Sequence, residues 1–323
     1  MTSARKAIVD WAEQGRIAPA AVADALVLAG VTPNAARWRR FVEALFLWLG
    51  SALIAAGVIF FVAYNWDALG RFTQFGLVQG LLAVAVLTAW YTGAGKPAGK
   101  ASLLLASLLT GALLALIGQT YQTGADPYEL FAIWAVLVLP WTLIARLPAL
   151  WLLCVTLLNL AVALYFQAAR GIFGVVFGES TVVWALFGLN TVALMAWELA
   201  ASRGAAWLQG RWPARLFAVA SGTAVTTLGV WAIFDGREAG LFALPAYGLW
   251  MAAAYFVYKH RTFDLFVLAG GVLSVIVFVS AFLGDALLDR AEAGGFLVIG
   301  LVVIGMSAAG AWWLKRVAAE AGE

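Results

Sequence analysis

The stretch "AIWAVLVLPWTLIARLPALWLLCVTLLNLAVALYF", Ala132 to Phe166, carries a single charge, Arg146, between two apolar runs. A helix that crosses the hydrocarbon of a bilayer needs about 20 mainly apolar residues, and each run comes close to that. Pro148 removes a backbone donor and suits a first helical turn, so "RLP" at Arg146 to Pro148 predicts a tight helical hairpin rather than one helix of ~40 residues. The rest of the chain has the same character. Of 323 residues 64% are apolar and 11% are charged, against about 45–50% and about 25% in a soluble domain. The fold class expected is an all-α integral membrane protein. The 16 Trp and 20 Phe agree with it, because aromatic rings collect at bilayer interfaces as well as in cores.

The same reading predicts about ten transmembrane helices, at 44–65, 72–92, 101–121, 128–145, 148–167, 180–200, 214–234, 240–258, 263–283 and 295–314. The domains expected are a cytoplasmic helical segment over 1–43, the bundle over 44–316 and a cytoplasmic tail over 317–323. Orientation follows from the basic residues. With the amino terminus inside, Arg71, Arg170, Arg237 and Arg290 fall in outer loops, and all the others of the 20 Lys and Arg fall inside. That asymmetry is the positive-inside signal, so both termini are expected to be cytoplasmic. No secretory leader is expected, since Arg5, Lys6, Asp10 and Glu13 crowd the start of the chain and no cleavable apolar segment follows.

Residues 1–43 read as short helices. "SARKAIVDWAEQG" stops at Gly15, "APAAVADALVLAG" stops at Gly30, and Thr32 can cap a third helix that begins at Pro33 and runs into the first span. Arg37, Arg39 and Arg40 flank Trp38 at the membrane boundary. This suits a topogenic, anionic-lipid anchor, and a regulatory or partner-docking role stays open. Topology accounts for the basic residues, and no recognition module appears, so no nucleic-acid partner is expected.

Two polar connections face the outer side: "YNWDALGRF", Tyr64 to Phe72, and "LIGQTYQTGADPYELF", Leu116 to Phe131. In the second, Gly124 tolerates a positive φ, Asp126 can cap a helix that starts at Pro127, and Glu129 falls in the first turn, where the helix dipole favours a carboxylate. Turn chemistry does not call for the amides, hydroxyls and ring of Gln119 to Thr123. Asn65, Trp66, Asp67, Arg71, Gln119, Tyr121, Gln122, Asp126, Pro127 and Glu129 are therefore the candidates for an extracytoplasmic ligand or partner site.

No ionisable residue is clearly central in a span. Glu43, Glu129, Glu198 and Asp264 lie near predicted span ends, where a side chain can reach the interface. This weakens readings that need a mid-membrane carboxylate. The polar intramembrane set is Gln79, Asn159 and Asn190, which can bond neighbouring helices or line a polar cavity. Gly76 with Gly80, and Gly305 with Gly310, suggest close packing within the bundle or a dimer interface. Pro140 and Pro245 fall within the fourth and eighth predicted spans and are expected to kink them. Cys154 reads as a packed core residue.

No catalytic set emerges. His260, the sole histidine, lies in the predicted cytoplasmic turn "YKHRTFD", so an outward Ser-His-Asp triad and a His-based zinc site are not expected. No phosphate loop, dinucleotide fingerprint or CxxC pair occurs, and neither a metal nor a cofactor is expected. The segments "GVIFFVAYNWDALGRFTQFGLVQ" and "GALLALIGQTYQTGADPYELFAIWAVLVLPW", preceded by "WAEQGRIAP", resemble the bacterial membrane-protein family known as domain of unknown function 2157. The resemblance covers about the first 150 residues. It implies a bacterial inner membrane, association with other membrane proteins, and Asn65, Trp66, Asp67, Gln119, Tyr121, Gln122, Asp126 and Pro127 as characteristic positions; it carries no established activity. The function expected is binding or transport of a small solute or lipid through a site open to the extracytoplasmic side. The alternative is a non-catalytic membrane subunit or scaffold, and an enzyme using outer carboxylates comes third. Membrane lipid, other membrane subunits and a second copy of the chain are the partners to consider.

Overall fold

The computed structural model describes residues 2–64, 70–122, 124–173, 179–208, 210–235 and 240–321. Every regular element among them is helical, as expected where no water is present to satisfy backbone groups left unpaired by the segment itself. Nine stretches of the described residues are long and apolar enough to cross a membrane. The chain divides into two compact units, Met1–Leu113 and Leu114–Glu323.

The first unit opens with α1 (Thr2–Glu13) and α2 (Val22–Leu28), which pack on each other. Gly15 and Gly30 end them with φ of 70° and 71°, the left-handed conformation that favours glycine. Next comes α3 (Ala35–Tyr64), which runs without a break from the polar segment into the first span. Its cap is Asn34, not Thr32 as expected: Asn34 Oδ1 accepts from the Arg37 amide at 2.8 Å. Asn34 places an acceptor two residues closer to the first free N–H groups than Thr32 would. α4 (Arg71–Thr92) and α5 (Pro97–Tyr121) meet at a turn so tight that a β-carbon on Gly99 would collide with the Gly93 carbonyl. Gly76 and Gly80 do not show the close packing expected of them, since a β-carbon on either would meet nothing among the described residues.

The second unit holds α6 (Pro127–Ala145), α7 (Pro148–Phe173), α8 (Glu179–Ser202), α9 (Trp212–Phe234), α10 (Ala243–Phe256) and α11 (Leu265–Glu320). α6 and α7 form the expected hairpin. Arg146 ends α6 in the left-handed region and Pro148 begins α7. Cys154 is buried against Ala135 across this pair, with Sγ 3.8 Å from its carbonyl.

One predicted span takes a different form, and two others join into a single helix. The segment at 240–258 gives only the 14 residues of α10, continued by a wide π-helical turn, Val257–Arg261. It still runs back along α9: Ala243 packs beside Leu228 and Trp231, and Tyr258 packs with Phe217. Pro245 falls in the first turn of α10, where the N–H it lacks would have no partner in the helix, so the mid-span kink expected there is absent. Pro140 is inside α6. α11 is helical over 56 residues, which would extend ~84 Å if straight. It must reverse, because Gly310 lies against Val272 and Val317 packs with Val267 and Leu268. Its two arms are the spans Leu265–Leu287 and Gly294–Glu320.

Candidate functional site

Helix ends assemble a charged cluster. Arg211 stands just before α9 and Arg215 one turn later, so the two guanidinium groups share a face. Asp264 stands just before α11, and its Oδ1 caps that helix by accepting from Phe266 N at 3.1 Å. The π-helical turn after α10 delivers Tyr258, whose hydroxyl donates to Glu198 Oε1 near the end of α8 at 3.1 Å. Arg211 joins the two acids: Nη1 donates to Glu198 Oε2 at 2.9 Å and Nε to Asp264 Oδ2 at 3.2 Å. Arg215 Nε donates to both Asp264 oxygens, at 3.1 and 3.0 Å.

The Asp264 side chain is 0% exposed. Burial by itself would raise the pKa of its carboxyl, but the hydrogen bonds from Arg215 and Arg211 outweigh it and hold the group below its ordinary range. Burial, followed by the neighbouring Glu198 charge, pushes the Tyr258 phenol up, so Tyr258 stays a neutral donor. The cluster thus offsets much of a desolvation cost of several kcal/mol per charge, although Arg211 Nη2 is buried without a partner among the described residues. Glu198 and Asp264 lie near span ends, as expected, and Arg211 lies between them and bridges the two.

One turn further along α9 begins a groove. It has a volume of ≈ 640 Å³ and is walled by α9, the first arm of α11 and Trp250 of α10, within the about 300–1,000 Å³ usual for ligand sites. Small residues make the room. A β-carbon on Gly222 would come within 3.0 Å of the Trp250 ring, whereas one on Gly270 would meet open space. The lining is mainly apolar, with Thr223, Thr226, Thr227 and Ser274 as its hydroxyls. Thr226 Oγ1 lies 2.7 Å from Ser274 Oγ, which lies 3.1 Å from the Tyr247 hydroxyl, so one hydroxyl chain ties α9, α11 and α10. Phe266 and Leu273, on the α11 wall, are 51% and 61% exposed. The groove meets the cluster at Phe266, where the Arg215 guanidinium lies 5.5 Å from the ring centre.

Of the intramembrane amides, Asn159 on α7 and Asn190 on α8 meet. Each donates to the other's side-chain oxygen, at 3.3 and 2.6 Å, and each also donates to a carbonyl one turn back on its own helix. Gln79 is exposed on α4, where Gln74 is the buried amide. Among the outer candidates, Asn65, Trp66 and Asp67 lie outside the described residues. Arg71 begins α4 and lies 5.3 Å above the Phe72 ring. Gln119 and Tyr121 close α5, with Tyr121 exposed. Gln122 takes a φ of 43°. Asp126 holds the capping position of α6 without a side-chain cap bond, Pro127 is the first helical residue and Glu129 falls in the first turn. Among the described residues no group of three His, Cys, Asp or Glu could hold a metal ion.

The cluster is hidden in the sequence because the side chains that bond to one another in it lie 13 to 60 residues apart. The available signals were the four-residue spacing of Arg211 and Arg215 and an Asp set directly before an apolar helix. No curated protein and no solved structure matches the chain. The cluster and the groove both lie beyond the region that a family model matches. Over residues 9–151 the chain carries the signature of the family described as "Predicted membrane protein (DUF2157)", whose function is unknown.

Proposed function

We propose that this multi-pass membrane protein binds a lipid-derived amphiphile in the groove between α9 and the first arm of α11. The observation that carries the reading is a ≈ 640 Å³, mostly apolar cavity set within two helices long enough to span a bilayer. At that depth the surroundings are hydrocarbon, so an apolar chain can enter from the bilayer without first being desolvated from water. The basic-residue asymmetry supports cytoplasmic termini and the family resemblance supports a bacterial inner membrane; together they put the charged cluster on the cytoplasmic side.

Photo-crosslinking tests the reading. Membranes containing the full chain and a photoactivatable fatty acid are irradiated, and the adducts are mapped by peptide mass spectrometry. Adducts are expected to concentrate on 218–231 and 266–277 and to disappear in Gly270→Leu, whose side chain fills the groove. An even spread over all the exposed spans, unchanged by Gly270→Leu, contradicts it.

A further inference from the structure

We propose that the occupant of the groove is a phospholipid whose headgroup phosphate is held by Arg215. The proposal rests on the groove reading above and adds the chemical class of the ligand. Arg215 precedes Val219, a groove residue, by one helical turn and lies against Phe266, another. Its Nε edge is occupied by Asp264. Among the described residues nothing accepts from its two terminal nitrogens, and its side chain is 42% exposed. The guanidinium therefore keeps one flat two-donor edge, the geometry that matches a phosphate bidentately.

The surroundings favour the same ligand. The amino-terminal ends of α9 and α11 converge here, and each adds partial positive charge. Lys259, Arg261, Lys315 and Arg316 belong to the same end of the unit, where Glu320 is the further acid beyond the cluster. Such a basic rim attracts lipid headgroups to the membrane surface. The length also fits. From Val219 to Val230 the groove follows α9 for about 16 Å, roughly half of the ~30 Å hydrocarbon thickness. That is the depth of one leaflet, with the head at the charged end and an acyl chain along the hydroxyls.

Native mass spectrometry of the full chain in neutral detergent tests this, with dioleoylphosphatidylglycerol and dioleoylglycerol titrated as probes that share both acyl chains. The wild type is expected to bind the phospholipid about tenfold more tightly, the gain of a charge-assisted hydrogen-bond pair. In Arg215→Gln combined with Asp264→Asn, which removes both charges together, the preference is expected to fall below about threefold with dioleoylglycerol affinity unchanged. Arg215→Lys keeps the charge beside Asp264 but loses the fork, and is expected to fall between the two. No preference in the wild type, or a full preference in both Arg215 variants, overturns the headgroup assignment. Gly270→Leu separates the two readings. Loss of both lipids upholds the groove whatever Arg215 does, and unchanged binding of both removes the groove reading itself.

Discussion

The connection between α5 and α6 is the most conspicuous polar stretch of this sequence, whereas Asp264 is the single acid at the end of the basic turn "YKHRTFD". In the structure the two are built in different ways. Gln122 and the residues from Gly124 to Glu129 resolve into backbone geometry: a positive φ at Gln122 and Gly124, a proline at the first helical position, and an Asp at the capping position that makes no side-chain cap bond. Asp264 instead gathers two arginines and a helix amide while fully buried. A run of polar residues announces a turn, because the turn needs those residue types next to one another. A tertiary cluster needs only one or two residues from each helix end, so nothing in the sequence marks them as partners.

The largest expected effect tests this contrast directly. Asp264→Ala leaves two guanidinium groups facing a buried gap and is expected to cost about 3 kcal/mol, read as thermal unfolding in mild detergent. Asp126→Ala is expected to cost less than about 0.5 kcal/mol; equal costs at the two sites would erase the distinction. Acid titration sharpens it. The depressed Asp264 pKa gives stability that is fully present above the unfolded carboxyl value of about 3.9 and is lost as pH falls through the folded value. The wild type should therefore lose this stability only below about pH 3.9, and Asp264→Asn should show no such loss.

A smaller effect is expected inside the bundle. Asn159→Leu alone leaves the Asn190 side-chain oxygen without its donor, whereas Asn159→Leu with Asn190→Leu removes both amides. The double-mutant coupling should be about 0.6–1.7 kcal/mol, and a coupling of zero would mean that the pair does not form in the membrane. The smallest effect belongs to the hairpin. Arg146 sits at a φ of 47°, so Arg146→Gly is expected to stabilise by about 0.5 kcal/mol.

Most of the fold was legible because a span is a local property. The apolar runs ending near Thr92, Tyr121, Ala145 and Phe234 end there in the structure, and the "RLP" hairpin follows from Pro148 and its neighbours. α10 was misjudged because hydropathy cannot separate helix from apolar connection: Leu241 and Phe242 count toward a span yet precede the helix. The candidate site was less legible. Asn159 and Asn190 were identified by residue type, but their pairing depends on the register of α7 against α8. Glu198 and Asp264 lie at span ends, as their sequence positions predict, but nothing local shows that Arg211 bridges them. The groove is set by the absence of side chains at Gly222 and Gly270, a signal that a glycine-rich chain hides.

The most direct test is the lipid retained by the protein itself. Extracted gently from its own membrane, the wild type, Gly270→Leu and the connection variant Gln119→Ala with Tyr121→Ala would be compared by native mass spectrometry for co-purifying lipid. The account predicts that the wild type and the connection variant keep a bound lipid and that Gly270→Leu loses it. Retention by Gly270→Leu with loss in the connection variant would contradict it and return the site to the stretch between α5 and α6.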